Sequence, residues 1–183
     1  MNREHRKLVK VRSNRLQDYD YAKPGAYFIT ICTLDRVCMF GKVVSDKMRL
    51  NFLGEVVKEE LFRSFEIRKE LLLDEWIIMP NHVHLIVFLN DLYYGMDTNE
   101  KDRRFEARKK PYRSPKSIST FVSGFKGAVS RRLNKIKCVD ATSVWQTNYN
   151  DRIIGCDYEL EIKRNYIIEN PIRWCQDELY SEK

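Results

Sequence analysis

The chain has 183 residues, of which 43% are hydrophobic, with a formal net charge of +7 and an isoelectric point near 9.1. That length suits one domain with a continuous core, and no apolar run approaches the ~20 residues of a membrane span; nor does the charged N-terminus carry a secretory signal's apolar stretch. Five cysteines (32, 38, 138, 156 and 175) are odd in number and lack C-x-x-C spacing, so they read as small buried hydrophobes in a reducing, cytoplasmic setting rather than as a disulfide or zinc framework.

The positive charge is concentrated. Residues 1–15 carry net +5 and residues 101–137 net +11, leaving the remainder at about −9. A basic surface on an acidic body is the footprint of a polyanion binder, although residues 1–15 alone read equally well as a solvated tail. We therefore divide the chain into a basic arm, 1–20, and a single domain, 21–178.

After the Pro24-Gly25 turn signal, Tyr27–Thr33 is rich in β-branched and aromatic residues and predicts a first strand. Residues 42–50 predict a second, paired through a turn near Phe40-Gly41. Leu53, Val56, Val57, Leu61 and Phe65 recur at helical spacing, which predicts an amphipathic helix over 52–65, with Gly54 weakening it slightly. Two apolar runs, Leu71–Met79 and His82–Leu89, flank Pro80-Asn81 and predict adjacent antiparallel strands at the centre of a sheet.

Residues 91–116 lose apolar periodicity and gather charge and proline, the composition of a long charged loop insertion. From Ser117, the stripe Ile118, Phe121, Val122, Phe125, Val129, Leu133 and Ile136 predicts a long helix. Lys126, Arg131 and Arg132 stand off that stripe, as a solvated face or as contacts to a nucleic-acid backbone. Tyr149–Ile154 predicts a last strand, and Asp157 is the expected N-cap of a helix ending near Asn170, since a residue before proline is pushed from the helical region. Pro171 can then open a short terminal helix. The order β-β-α-β-β-α-β-α describes an α+β fold, helices packed on an antiparallel β-sheet.

His82 and His84 lie two apart on an otherwise apolar strand, so both side chains face one way, with Cα atoms roughly 7 Å apart. A lone strand histidine is usually a hydrogen-bonded core residue. Two buried together cost desolvation unless they share a partner, and a metal ion satisfies both. With oxygen donors completing the set, Mg²⁺ or Mn²⁺ suits a phosphodiester site, with zinc as the alternative. Tyr166 and Asn170, four apart, share a helix face and can present a nucleophile beside a ligand. The competing reading packs Tyr166 against Tyr158 and Ile162 in the core, one of ten tyrosines in the chain.

Tyr27-Phe28-Ile29-Thr30 with Arg36, Pro80-Asn81-His82-Val83-His84, Phe125-Lys126, and Tyr166-Ile167 followed by Asn170-Pro171 together resemble the REP-associated tyrosine transposases, a branch of the single-tyrosine HUH transposases. The resemblance covers most of residues 20–175. It implies the ferredoxin-like HUH sandwich, His82 and His84 as the metal pair, Asn170 as a further ligand and Tyr166 as the nucleophile. Tyr149 is the rival nucleophile, in a segment that resembles a family strand. Gly155 stands where relatives often have arginine. Lys126, Arg131, Arg132 and Arg36 are the expected DNA contacts. The implied reaction is metal-dependent cleavage and strand transfer of single-stranded hairpin DNA through a 5′-phosphotyrosine, by a cytoplasmic, nucleoid-associated protein acting as a monomer, with a dimer as the alternative. Two other readings compete: a hydrolytic nuclease in which Tyr166 is structural, and a hairpin-binding protein without catalysis.

Overall fold

The structure is a computed structural model that describes residues 22–90, 116–136 and 144–182. The expected basic arm, 1–20, and all but the last residue of the 91–116 insertion lie outside the described residues. Strand β1 (Gly25–Cys32) leads through a 3-10 turn (Leu34–Arg36) to β2 (Gly41–Val44) and β3 (Lys47–Leu50). Helix α1 (Phe52–Ile67), β4 (Leu71–Ile78) and β5 (His82–Leu89) follow, then α2 (Ile118–Lys135), β6 (Asn150–Ile154), α3 (Asp157–Glu169) and a final 3-10 turn (Trp174–Gln176).

Four strands form one antiparallel sheet in the order β4-β5-β1-β6. The strands flanking Pro80-Asn81 do pair, with the Met79 N–H donating to the His82 carbonyl (2.8 Å). Of these two only β5 is central, however: β1, far away in sequence, is the other interior strand and covers its free edge, and β4 is left at the rim. The strand expected over 42–50 is instead a separate hairpin, because Ser45 and Asp46 both take positive φ (48° and 59°) and turn the chain back on itself.

Helix α1 begins where the Asn51 side chain accepts the Gly54 N–H (3.0 Å). Gly54 is a packing requirement here, since a Cβ at that position would stand 2.2 Å from the Phe40 carbonyl oxygen. Helix α2 opens with a reciprocal capping box between Ser117 and Thr120. Helix α3 has Cys156, not Asp157, at its N-cap, without a side-chain bond. At its other end Asn170 keeps helical dihedrals (φ −56°, ψ −41°) despite the proline that follows, because its side chain is anchored in the site described below.

Strand alternation gives the sheet two different faces. Tyr27, Ile29 and Ile31 of β1 with Val83, Leu85 and Val87 of β5 point into the main core, against Val57 and Leu61 of α1 and Phe121, Phe125 and Val129 of α2. At roughly 1.5–3 kcal/mol per fully buried large apolar side chain, this layer dominates stability. On the opposite face Ala26, Phe28, Ile86 and Ile154 meet Ile167 of α3. This second core is small, and the rest of the face is free to be polar. Of the cysteines, Cys32 is buried as expected, Cys38 is half-buried, and Cys156 and Cys175 are exposed; Cys138 lies outside the described residues.

Candidate active site and metal centre

His82 and His84 occupy the α3 face of β5 and are 0% and 2% exposed, with ring centroids 4.4 Å apart. Each is oriented by one neighbour. The amide nitrogen of Asn81 donates to the carbonyls of Arg36 (3.0 Å) and Leu179 (2.8 Å), which leaves its side-chain oxygen as an acceptor facing His82 Nδ1 at 2.8 Å. The His82 proton is therefore on Nδ1, and Nε2 carries the lone pair. His84 Nδ1 lies 2.9 Å from the hydroxyl of Thr30, its direct cross-strand partner; donation to that oxygen leaves its Nε2 lone pair free in the same way.

Both Nε2 atoms are buried without a hydrogen-bond partner, and so is Oδ1 of Asn170, itself 2% exposed. An unsatisfied buried polar atom costs about 1–3 kcal/mol, so three together mark a place where a partner is owed. Asp177 completes the group. One ligand atom from each of His82, His84 and Asp177 lies within 4.8 Å of the others. Burial pushes the His82 pKa down to about 4, against the upward pull of the Asp177 carboxylate. His84 is lowered as well, by burial first, then by the neighbouring His82 ring, whose protonation would oppose its own, and by the Lys163 charge. Neutral imidazoles beside a carboxylate and an amide oxygen are a donor set that a divalent cation fits.

Tyr166, on α3, is 40% exposed. Its ring lies edge-on to those of His84 (centroids 5.2 Å) and Phe28 (5.9 Å), and its hydroxyl donates to Asp177 Oδ2 (3.2 Å). The same oxygen accepts from the Asn170 amide nitrogen (2.7 Å), while Oδ1 accepts the Leu179 N–H (2.7 Å). Burial and then the Asp177 charge push the phenol up to about 12, so it stays protonated at neutral pH. Tyr158 and Ile162 are 76% and 46% exposed, so Tyr166 does not pack with them in a core. The structure thus brings His84, Tyr166 and Asn170 to one cleft of about 490 Å³, with the fully buried His82 behind it, beside His84 and Asp177.

Sequence reasoning missed Asp177 and the positioning roles of Thr30 and Asn81. Asp177 lies after α3 in an irregular segment, where no periodicity distinguishes it from Asp157 or Glu178. That segment is tied down by Arg36, whose guanidinium donates to the Glu178 carbonyl (2.8 Å).

The other expected DNA contacts lie elsewhere. Lys126, Arg131 and Arg132 belong to α2, across the sheet from the histidines. Lys126 donates to the carbonyls of Gln146 (2.5 Å) and Thr147 (3.2 Å), holding the segment before β6. Arg132 pairs with Glu59 and with Glu60 (3.1 Å) on α1. Arg131 makes no ion pair among the described residues and lines a groove of about 1010 Å³ between α1 and α2. Tyr149 is on that face too, its hydroxyl 3.4 Å from Ser119 Oγ.

No protein-family model matches the chain. An uncharacterized protein of Haemophilus influenzae is 35% identical over 170 residues, 92% of each chain. A solved structure of a REP-associated tyrosine transposase bound to a REP hairpin superposes over 87% of this chain and 73% of its own, with a TM-score of 0.56 and 14% identity. The chain belongs to one family with the uncharacterized Haemophilus influenzae protein, and its fold is the one seen in the REP-associated tyrosine transposase.

Proposed function

We propose that the protein is a metal-dependent DNA strand transferase of the single-tyrosine HUH transposase type, acting on single-stranded DNA that carries a hairpin. The observation that carries this reading is the convergence of two neutral buried imidazoles, a carboxylate, and a tyrosine hydroxyl that donates to that carboxylate. The fold shared with a transposase solved on a REP hairpin supports it.

His82, His84 and Asp177 would hold Mg²⁺ or Mn²⁺, with Asn170 as a further oxygen donor; such an ion supplies charge stabilisation at a phosphoryl oxygen. Asn81 and Thr30 keep both Nε2 lone pairs directed into the cleft. The Tyr166 oxygen attacks phosphorus, and its proton leaves toward the Asp177 carboxylate to which it already donates. The new bond is tyrosine O–P and the broken bond is P–O3′; the departing 3′ oxygen takes up a proton from water, so the products are a 5′-phosphotyrosine and a free 3′-OH. The covalent link retains the phosphodiester energy. A second DNA 3′-OH can therefore reverse the step and join new strands without ATP.

Within a single domain at 21–178, working as a monomer, DNA backbone contacts fall to Arg131 and Arg36, to Arg132 through donor hydrogens beyond those in its ion pairs, and to Lys126 through its charge, since its ammonium faces the carbonyls of Gln146, Thr147 and Asn148. None of the described helices is long and apolar enough to cross a membrane. A cytoplasmic, nucleoid-associated protein fits that reading.

The test is incubation of labelled hairpin oligonucleotides with Mn²⁺ or Mg²⁺, comparing wild type, Tyr166→Phe and His82→Ala on a denaturing gel. A covalent protein–DNA band in wild type alone is the expected result. Cleavage that survives Tyr166→Phe makes the protein a hydrolytic nuclease, and binding that is indifferent to chelator, without cleavage, makes it a catalytically silent binder.

A further inference from the structure

One charged side chain in the cleft has no assigned work. Lys163 stands one turn before Tyr166 on α3, so the two share a helix face. Its ammonium sits 4.7 Å above the centroid of Phe28 and 5.6 Å from that of Tyr166. It lines the same cleft as Thr30, His84, Tyr166 and Asp177.

The other cations nearby are already engaged. Arg173 pairs with Glu169 (2.7 Å), and Arg152 with Glu159 (2.6 Å). Glu159, the acidic group that acts electrostatically on Lys163, is itself bonded to Arg152 and to the Gly155 N–H (3.0 Å), and it makes no ion pair with the lysine. Lys163 makes no ion pair among the described residues. Its surroundings are two aromatic rings, which favour a cation through their faces but neutralise none of its charge. A cation held by aromatic rings at the mouth of a cleft, without a counter-ion, is arranged to receive an anion.

We infer that Lys163 is a phosphate-binding residue, holding a backbone phosphate of single-stranded DNA over Phe28 and beside the Tyr166 ring. The inference rests on the proposed reading for the identity of the anion as DNA, but not for its placement. The alternative is that the lysine merely packs on Phe28. That alternative predicts a change in stability without any change in the charge dependence of binding.

The experiment measures binding of a short fluorescent oligothymidylate by anisotropy across a salt series, for wild type, Lys163→Gln, Lys163→Met and Lys163→Arg. Lys163→Met keeps an apolar stem on Phe28, so it separates removal of charge from removal of packing should Lys163→Gln fold poorly. Deleting one phosphate-neutralising cation from a single-strand complex makes the slope of log K against log salt shallower by about 0.7. We expect that change in both neutral variants and recovery in Lys163→Arg. In parallel, covalent adduct formation on hairpin DNA should slow by about tenfold or more in the neutral variants, as when one charge-stabilising donor is removed. Equal slopes in wild type and neutral variants, or no binding by wild type at low salt, overturns the inference. A slope that responds to Lys163 in a protein that forms no adduct leaves the phosphate position standing and removes the strand-transfer reading instead.

Discussion

The proton on His82 sits at Nδ1 because the Asn81 amide, with its nitrogen held by two carbonyls, can offer it only an oxygen. Replacing Asn81 with alanine should free the ring and strand those carbonyls. Losing such an orienting partner typically costs 10–100-fold in metal affinity, and we expect Mn²⁺ binding measured calorimetrically to weaken by about that factor. Unchanged affinity would show that the tautomer is set elsewhere. The same burial makes a pH prediction for the metal-free protein. His82 titrates near 4 when folded and near its ordinary 6.5 when unfolded, so between those values only the unfolded chain binds the proton. Stability is then complete above about pH 6.5 and declines as pH falls toward 4, by up to about 3 kcal/mol from this residue, with His84 acting in the same direction. Urea midpoints at about pH 7 and pH 4.5 should reveal the decline; equal midpoints would mean that the histidines are not held neutral.

At the level of elements, the β2–β3 hairpin and the start of α1 form a tight corner around Phe40. The hairpin turn uses Ser45 and Asp46 at positive φ, a region that glycine adopts without cost, that asparagine and aspartate tolerate, and that serine does not favour. Ser45→Asn with Asp46→Gly should therefore raise stability by about 1 kcal/mol, read as a higher urea midpoint with unchanged slope. Gly54→Ala should do the opposite. Its new Cβ would overlap the Phe40 carbonyl, and relieving a clash with backbone typically costs about 1–3 kcal/mol. A neutral Gly54→Ala variant would show that α1 can slide on its cap. Helical spacing found this helix, but it read Gly54 only as a weak point. Spacing along one segment carries no information about the carbonyl that another segment brings to it.

Across the whole molecule, the sheet separates two kinds of surface. The large apolar core and the basic helix α2 lie on one side, and the histidines, Tyr166 and Asp177 lie on the other. If the α2 face contacts the DNA stem, Arg131→Ala should weaken hairpin binding and flatten its salt slope by about 0.9, without altering Mn²⁺ affinity. Arg132→Ala should also reduce stability, because Glu60, 6% exposed, would be left without its ion-pair partner. Equal stability for the two variants would show that the Glu60 pair contributes nothing.

The sequence by itself determined the features that depend on short-range periodicity. Alternation along a strand put His82 and His84 on one face, three- and four-residue spacing predicted α1 and α2, and the four-residue interval set Asn170 one turn from Tyr166. These follow from backbone geometry and need no knowledge of what lies across the sheet. Tertiary structure alone decided that β1 would cover β5 and leave β4 at the rim, that Lys126 and Arg132 would be engaged internally, and that Tyr149 would face away from the histidines. It also decided that Asp177 would enter the site, carried by an irregular segment held by Arg36 and Asn81. Each of these results from contacts between residues distant along the chain, whose pairing is selected by burial of the whole apolar surface at once and leaves no periodic trace in either partner.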